Sequence, residues 1–142
     1  MTIKIGINGL GRIGRMVVRS LIEEKNKNIE IKHINNRTNS ETSCSLLKYD
    51  SVHGRFSADI NFNEKNLIIN KKKISFSQET ELSKINWKKY GVDIVLECIG
   101  QLLADQYIAF AIDCIQRVAH IGEELTLLGG DATRLAVMMY VS

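Results

Sequence analysis

The chain has 142 residues, which fits one domain of ordinary size and leaves no room for a second full one. Its 44% hydrophobic and 25% charged side chains argue against disorder, and a net charge of +3 is too small to point to nucleic acid. No apolar run reaches the roughly 18 residues a membrane span needs, since Asp105, Asp113 and Arg117 interrupt the best candidate.

Thr2 to Asn8 is a short β-branched run that reads as a buried strand ending at Gly9. Gly11 to Lys25 carries Ile13, Met16, Val17, Val18, Leu21 and Ile22 at helical spacing, with Arg12, Arg15, Arg19, Glu23 and Glu24 elsewhere. Ile29 to Ile34 alternates and reads as a second strand, so the first 35 residues form one βαβ unit with parallel strands. Residues 40–49 suggest a helical turn or two. The segments ADINF, NLIIN and KISFS, separated by Asn-Glu-Lys-Asn and Asn-Lys-Lys-Lys turns, predict a small antiparallel meander inserted between parallel strands. Val92 to Glu97 is the next central strand. Beyond Gly100 the pattern predicts a helix over 102–120, a strand over 124–128 and a helix over 132–140 that starts behind Asp131.

A compositional seam divides the chain near residue 100. All 12 lysines and all 11 asparagines precede it, giving that part a net charge of +6, while residues 101–142 carry a net of −3. Such an asymmetry flags separate parts. Residues 1–100 are therefore expected to form one unit, and 101–142 an atypical, mostly helical C-terminal segment that completes or caps it. Cys44, Cys98 and Cys114 show no paired spacing, which fits a reducing compartment, and the chain enters a strand with no secretory signal. A cytoplasmic location is the expectation.

The most informative feature is Asn8-Gly9-Leu10-Gly11-Arg12-Ile13-Gly14, a G-x-G-x-x-G that follows a strand and opens a helix. Gly9 permits a tight turn, Gly11 lets the backbone approach a pyrophosphate, and Gly14 allows the helix to pack close on the strand. The helix N-terminus then offers unpaired N–H groups to an anion. At the end of the second strand the sequence reads His33-Ile34-Asn35-Asn36-Arg37-Thr38, without the acid that holds an adenosine ribose 2′-hydroxyl in NAD-binding folds. A carboxylate about 4 Å from a 2′-phosphate costs several kcal/mol at an effective dielectric near 20. Asn36 removes that repulsion, and Arg37 either pairs with the phosphate or is a solvated loop arginine. NADP acceptance alongside NAD is the expectation.

Three stretches in order, IKIGINGLGRIGR, LLKYDSVHGRF at 46–56 and WKKYGVDIVLECIG at 87–100, closely resemble phosphorylating glyceraldehyde-3-phosphate dehydrogenase. The resemblance covers about 100 residues and implies a Rossmann-type cofactor domain of an aldehyde dehydrogenase, commonly a tetramer, so a homo-oligomer. Carried over by position, it implies that Asn8, Gly9, Arg12 and Ile13 contact the pyrophosphate and that Asn36 and Arg37 face the adenosine ribose. Cys98, Ile99 and Gly100 would lie near the nicotinamide side. The family usually has an acid where Asn36 stands and Thr where Ile99 stands.

The resemblance ends after Gly100. The family's nucleophilic cysteine within Ser-Cys-Thr-Thr-Asn, its histidine base and its phosphate-binding arginines have no counterpart in this sequence. Cys44, Cys98 and Cys114 read as packed small hydrophobes, and His33, His53 and His120 as structural. Lys71 to Lys73 reads as a solvated hairpin turn, and no metal-ligand spacing appears. The expected fold is α/β: three or four parallel strands with a small antiparallel insert, incomplete relative to the family. The expected function is dinucleotide binding without turnover, as the cofactor half of an oxidoreductase. The rival readings are a non-catalytic nucleotide-binding module from truncation or fusion, and a partner-recruiting protein. Neither a membrane nor a nucleic acid is an expected partner.

Overall fold

A computed structural model describes residues 2–25 and 27–99. Gly100, the compositional seam and the elements expected over 102–120, 124–128 and 132–140 lie outside the described residues. The elements run β1 (Ile3–Asn8), α1 (Arg12–Glu23), β2 (Ile29–Asn35), α2 (Ser40–Lys48), β3 (Tyr49–Asp50), β4 (Gly54–Arg55), β5 (Ile60–Asn63), β6 (Asn66–Ile69), β7 (Lys72–Ser77), short 3-10 turns at Leu82–Lys84 and Trp87–Tyr90, and β8 (Ile94–Glu97).

The main sheet has the order β5-β6-β7-β2-β1-β8. β7, β2, β1 and β8 are mutually parallel neighbours, while β5, β6 and β7 form the expected antiparallel meander. β7 belongs to both sets, so the meander extends the parallel sheet at its edge. Its tight turn places Asn70 and Lys71 at φ 49° and 67°, with the lysines of the turn exposed. β3 and β4 make a separate two-residue antiparallel pair.

Register explains how the sheet divides its two faces. Ile7 pairs with Ile34, and Ile34 with Phe76, so successive strands place apolar side chains together. These residues join Ile5, Leu10, Val18 and Leu47 in the buried core. The opposite row is polar: Asn8 pairs with Asn35 and Glu97, and Asn35 with Ser77. One rung earlier, Gly6 pairs with His33 and Val95, and a Cβ on Gly6 would lie 2.6 Å from the Trp87 ring. The 3-10 turn over 87–90, which the periodicity did not predict, thus covers this face.

α1 lays Val17, Val18, Leu21 and Ile22 against the core and stops at Glu23, before Lys25 enters the left-handed region at φ 50°. Arg19, expected on the solvated side, is buried instead. Its guanidinium donates twice to the Leu47 carbonyl and once to that of Gly54, and lies 5.1 Å from the Phe56 ring centroid. That arrangement satisfies the C-terminal carbonyl of α2 with a charged donor. At the other end of α2, Asn39 caps the helix by accepting from the Thr42 N–H at 2.8 Å.

Candidate functional site

The connection from β1 to α1 is held from two sides. The Gly9 N–H donates to the Asn35 carbonyl at 2.8 Å, and the Leu10 N–H to Asn36 Oδ1 at 3.1 Å. On the other side the Cys98 N–H donates to the Asn8 carbonyl at 2.8 Å, continuing the pairing of β1 with β8. β1 lies between β2 on one side and β8 on the other, so the strand order reverses at the β1–β8 boundary. Ligand crevices of open α/β sheets form at such a switch point.

The three glycines of the bend differ in what surrounds them. Gly9 has φ +97°, a left-handed conformation that glycine adopts without strain, and Ile99 Cγ1 lies 2.7 Å from where its Cβ would be. A Cβ on Gly14 would fall 2.0 Å from the Gly9 carbonyl oxygen, so helix and bend touch there. A Cβ on Gly11 meets only the Cys98 carbonyl oxygen, at 3.8 Å. The Gly9 flank is therefore filled by Ile99, whereas the Gly11–Arg12 flank opens to solvent.

Gly11 starts α1 without a capping side chain, and the first turn contains no acid. The first helical bond joins the Arg15 N–H to the Gly11 carbonyl at 3.0 Å, so the N–H groups of Arg12, Ile13 and Gly14 precede the ladder. With the helix dipole they leave partial positive charge at the crevice. Arg12 is exposed and Ile13 half-buried. Arg15 turns back, donating to the Leu10 carbonyl at 3.1 Å and lying 3.9 Å from Asp50, whose carboxyl is held well below the usual range by the His53 and Val52 N–H groups.

Two expectations change at the level of side chains. Asn8 was expected to touch a pyrophosphate, but its side chain is fully buried, with Nδ2 donating to Glu97 at 2.7 Å and Oδ1 accepting from Asn35 at 2.8 Å. The pleat sends it into the polar row, where it ties β1 to β2 and β8. Asn36, expected to face a ribose, spends Oδ1 on the Leu10 N–H and Nδ2 on the Thr38 and Ser43 hydroxyls, at 2.7 and 3.0 Å. Arg37 is exposed, and its carbonyl accepts from Gln78 Nε2 at 2.9 Å.

Sequence reasoning overlooked Glu97, Asn35 and His33 as parts of this neighbourhood. Asn35 makes four bonds: to Asn8, to both the N–H and the carbonyl of Glu79, and from the Ser77 hydroxyl. The available signal was polar residues closing otherwise apolar strands, at Asn8, Asn35 and Glu97. Burial pushes the Glu97 carboxyl up, opposed by Asn8, the Ile99 N–H and the Arg37 charge. Burial and Glu97 push the Cys98 thiol up to about 12, so it stays a thiol at neutral pH. Among the described residues no cluster of side chains has metal-ligand character.

His33 is buried between the Ser75 and Ser77 hydroxyls, at 2.7 and 2.9 Å, with the Tyr90 ring stacked at 3.7 Å and the Trp87 ring edge-on at 5.3 Å. Burial lowers its pKa to about 4, with Ser75 opposing. Between pH 6.5 and 4 the unfolded chain binds this proton and the folded one does not, so stability present above pH 6.5 is lost as pH falls. The full loss amounts to about 3 kcal/mol. Glu97, with a raised pKa, acts with the opposite sign. Denaturant unfolding at pH 7.5 and 4.5 should therefore show a larger acid loss for the wild type than for His33→Gln, and equal losses would clear His33 of the effect.

Comparison with known proteins identifies a family by sequence. A family model described as glyceraldehyde 3-phosphate dehydrogenase, NAD binding domain, matches residues 3–105. Glyceraldehyde-3-phosphate dehydrogenase of Geobacillus stearothermophilus is 46% identical over 101 residues, covering 71% of this chain and 30% of that protein. The Thermotoga maritima enzyme is 45% identical over 97 residues, with 68% and 29% covered, and glyceraldehyde-3-phosphate dehydrogenase A of Escherichia coli K12 is 43% identical over 106 residues, with 75% and 31% covered. The chain thus spans about 30% of the length of the curated relatives it matches. Among the described residues no helix is long and apolar enough to cross a membrane. The chain belongs to the glyceraldehyde 3-phosphate dehydrogenase NAD binding domain family.

Proposed function

We propose that this chain binds NAD and NADP in the crevice between the β1 and β8 connections, as the cofactor domain of a glyceraldehyde-3-phosphate dehydrogenase-like oxidoreductase. The observation that carries the reading is the uncapped start of α1 behind a bend that leaves open space in front of Gly11. Backbone N–H groups of Arg12, Ile13 and Gly14 hold the diphosphate, and Arg12 adds an exposed cation beside it. Arg37 lies at the adenosine end, where Asn36 stands in place of the acid that would repel a 2′-phosphate. Asn36 supports this end by tying Leu10 to α2 rather than by touching the sugar. Gly100 serves the nicotinamide end, as the resemblance implies.

In this reading residues 1–100 form the cofactor unit, and 101–142 cap it or recruit a partner. The chain works in the cytoplasm as a homo-oligomer. By itself it binds cofactor without oxidising aldehyde, because neither described cysteine is activated: burial raises the pKa of both Cys44 and Cys98.

Calorimetric titration with NAD⁺ and NADP⁺ tests the proposal. Both should bind, and Arg37→Ala should weaken NADP⁺ by roughly tenfold or more while sparing NAD⁺, since a charge-assisted phosphate contact contributes about 1.5–3 kcal/mol. Equal losses would remove Arg37 from the 2′-phosphate, and no binding at millimolar cofactor would remove the reading altogether. Aldehyde oxidation by the 142-residue chain, with glyceraldehyde 3-phosphate, phosphate and cofactor supplied, would contradict the absence of turnover.

A further inference from the structure

Glu97, Asn8, Asn35 and Ser77 form the last shared rung of β8, β1, β2 and β7, and the direction of their hydrogen bonds is fixed at both ends. At one end the Glu79 N–H donates to Asn35 Oδ1 at 2.9 Å, and the Glu79 carbonyl accepts from Asn35 Nδ2 at 3.0 Å. That pair of backbone contacts admits a single orientation of the Asn35 amide. Asn35 therefore meets Asn8 with a proton, so Asn8 must present Oδ1 to it and turn Nδ2 toward Glu97. At the other end the Ile99 N–H donates to the second Glu97 oxygen at 3.0 Å.

Position 97 must consequently accept a hydrogen bond at both terminal atoms. An ionised carboxylate does so. An amide would place a donor against a donor already pointing there. Through these two bonds one buried carboxylate grips both edges of the crevice: the Asn8–Gly9 corner of the bend, and Ile99, whose side chain lies against Gly9.

We propose that Glu97 is a positioning residue for the dinucleotide, which sets the spacing of the β1 and β8 connections through Asn8 and the Ile99 N–H and needs its charge within the row to do so. The inference rests on the crevice being the dinucleotide site. It predicts that the charge can be moved one place along the row without loss of function. In E97Q one donor–donor conflict remains, and in N8D two carboxylates face each other. In the double variant N8D/E97Q the introduced carboxylate at position 8 accepts from Asn35 and from the introduced amide, whose oxygen accepts from Ile99. Volume, net charge and every hydrogen bond of the row are then restored.

The experiment measures thermal midpoint and NAD⁺ affinity for the wild type, both single variants and the double variant, each as the full 142-residue chain. E97Q should weaken NAD⁺ at least tenfold at a temperature where it remains folded, and N8D/E97Q should regain both midpoint and affinity to within about threefold. Should the single variants fail to fold, recovery in the double variant still decides. Wild-type affinity in E97Q, or a double variant that regains its midpoint but not its affinity, would overturn the role of Glu97 alone. No NAD⁺ binding by the wild type would instead overturn the crevice reading, and this inference with it.

Discussion

Gly14→Ala is expected to cost about 3 kcal/mol or more in folding stability, before any ligand is considered. The added methyl would sit 2.0 Å from the Gly9 carbonyl oxygen, 3.0 Å from the Gly9 carbonyl carbon and 3.3 Å from Cys98 Cβ. Two of those three atoms are backbone, so no side-chain rotation relieves the overlap. α1 must lift away from the bend, and Val18 with its core neighbours must shift with it. Overpacking of this kind costs about 1–3 kcal/mol where side chains can yield and more where backbone is the obstacle. For a domain of about 100 residues that corresponds to a fall in Tm of roughly 12 °C or more. Thermal unfolding followed by circular dichroism checks it, and a fall below about 3 °C would mean that helix and bend do not meet as described.

Gly11→Ala should do the reverse: spare the fold and abolish tight cofactor binding. Gly11 has φ −67°, an ordinary value for any residue, and its Cβ would approach nothing closer than the Cys98 carbonyl oxygen at 3.8 Å. The reduced freedom of the unfolded chain and the poorer N-cap nearly cancel, leaving stability within about 1 kcal/mol. The same methyl projects into the space where a diphosphate must approach the start of α1. A fall in NAD⁺ affinity on the order of 100-fold is expected, equivalent to about 2.7 kcal/mol of steric conflict. Titration of Gly11→Ala beside thermal unfolding separates the two effects. Undiminished affinity would place the diphosphate somewhere other than in front of Gly11.

The contrast between these glycines shows how far the amino-acid pattern could be read. Spacing alone assigned Gly9 to the turn, Gly11 to ligand approach and Gly14 to helix packing; Gly9 has φ +97°, and Gly14 packs against the Gly9 carbonyl. The strands were equally legible, since β-branched runs bounded by Gly, Asn and Lys mark β1, β2 and β5 to β8 within a residue or two. Arg19 was misplaced because a helical wheel separates charged from apolar residues without knowing what lies above each. Here the C-terminal carbonyl of α2 waited over that charge.

Local sequence determined which segments become strand or helix and where the backbone must bend sharply, because those outcomes depend on residues a few places apart. Tertiary structure decided which side chains face one another across the crevice. Asn8 meets Asn35 at a separation of 27 residues and Glu97 at 89, and no periodicity links such positions. Strand order and register create that polar row, and only after folding does burial oblige each of its donors to find an acceptor.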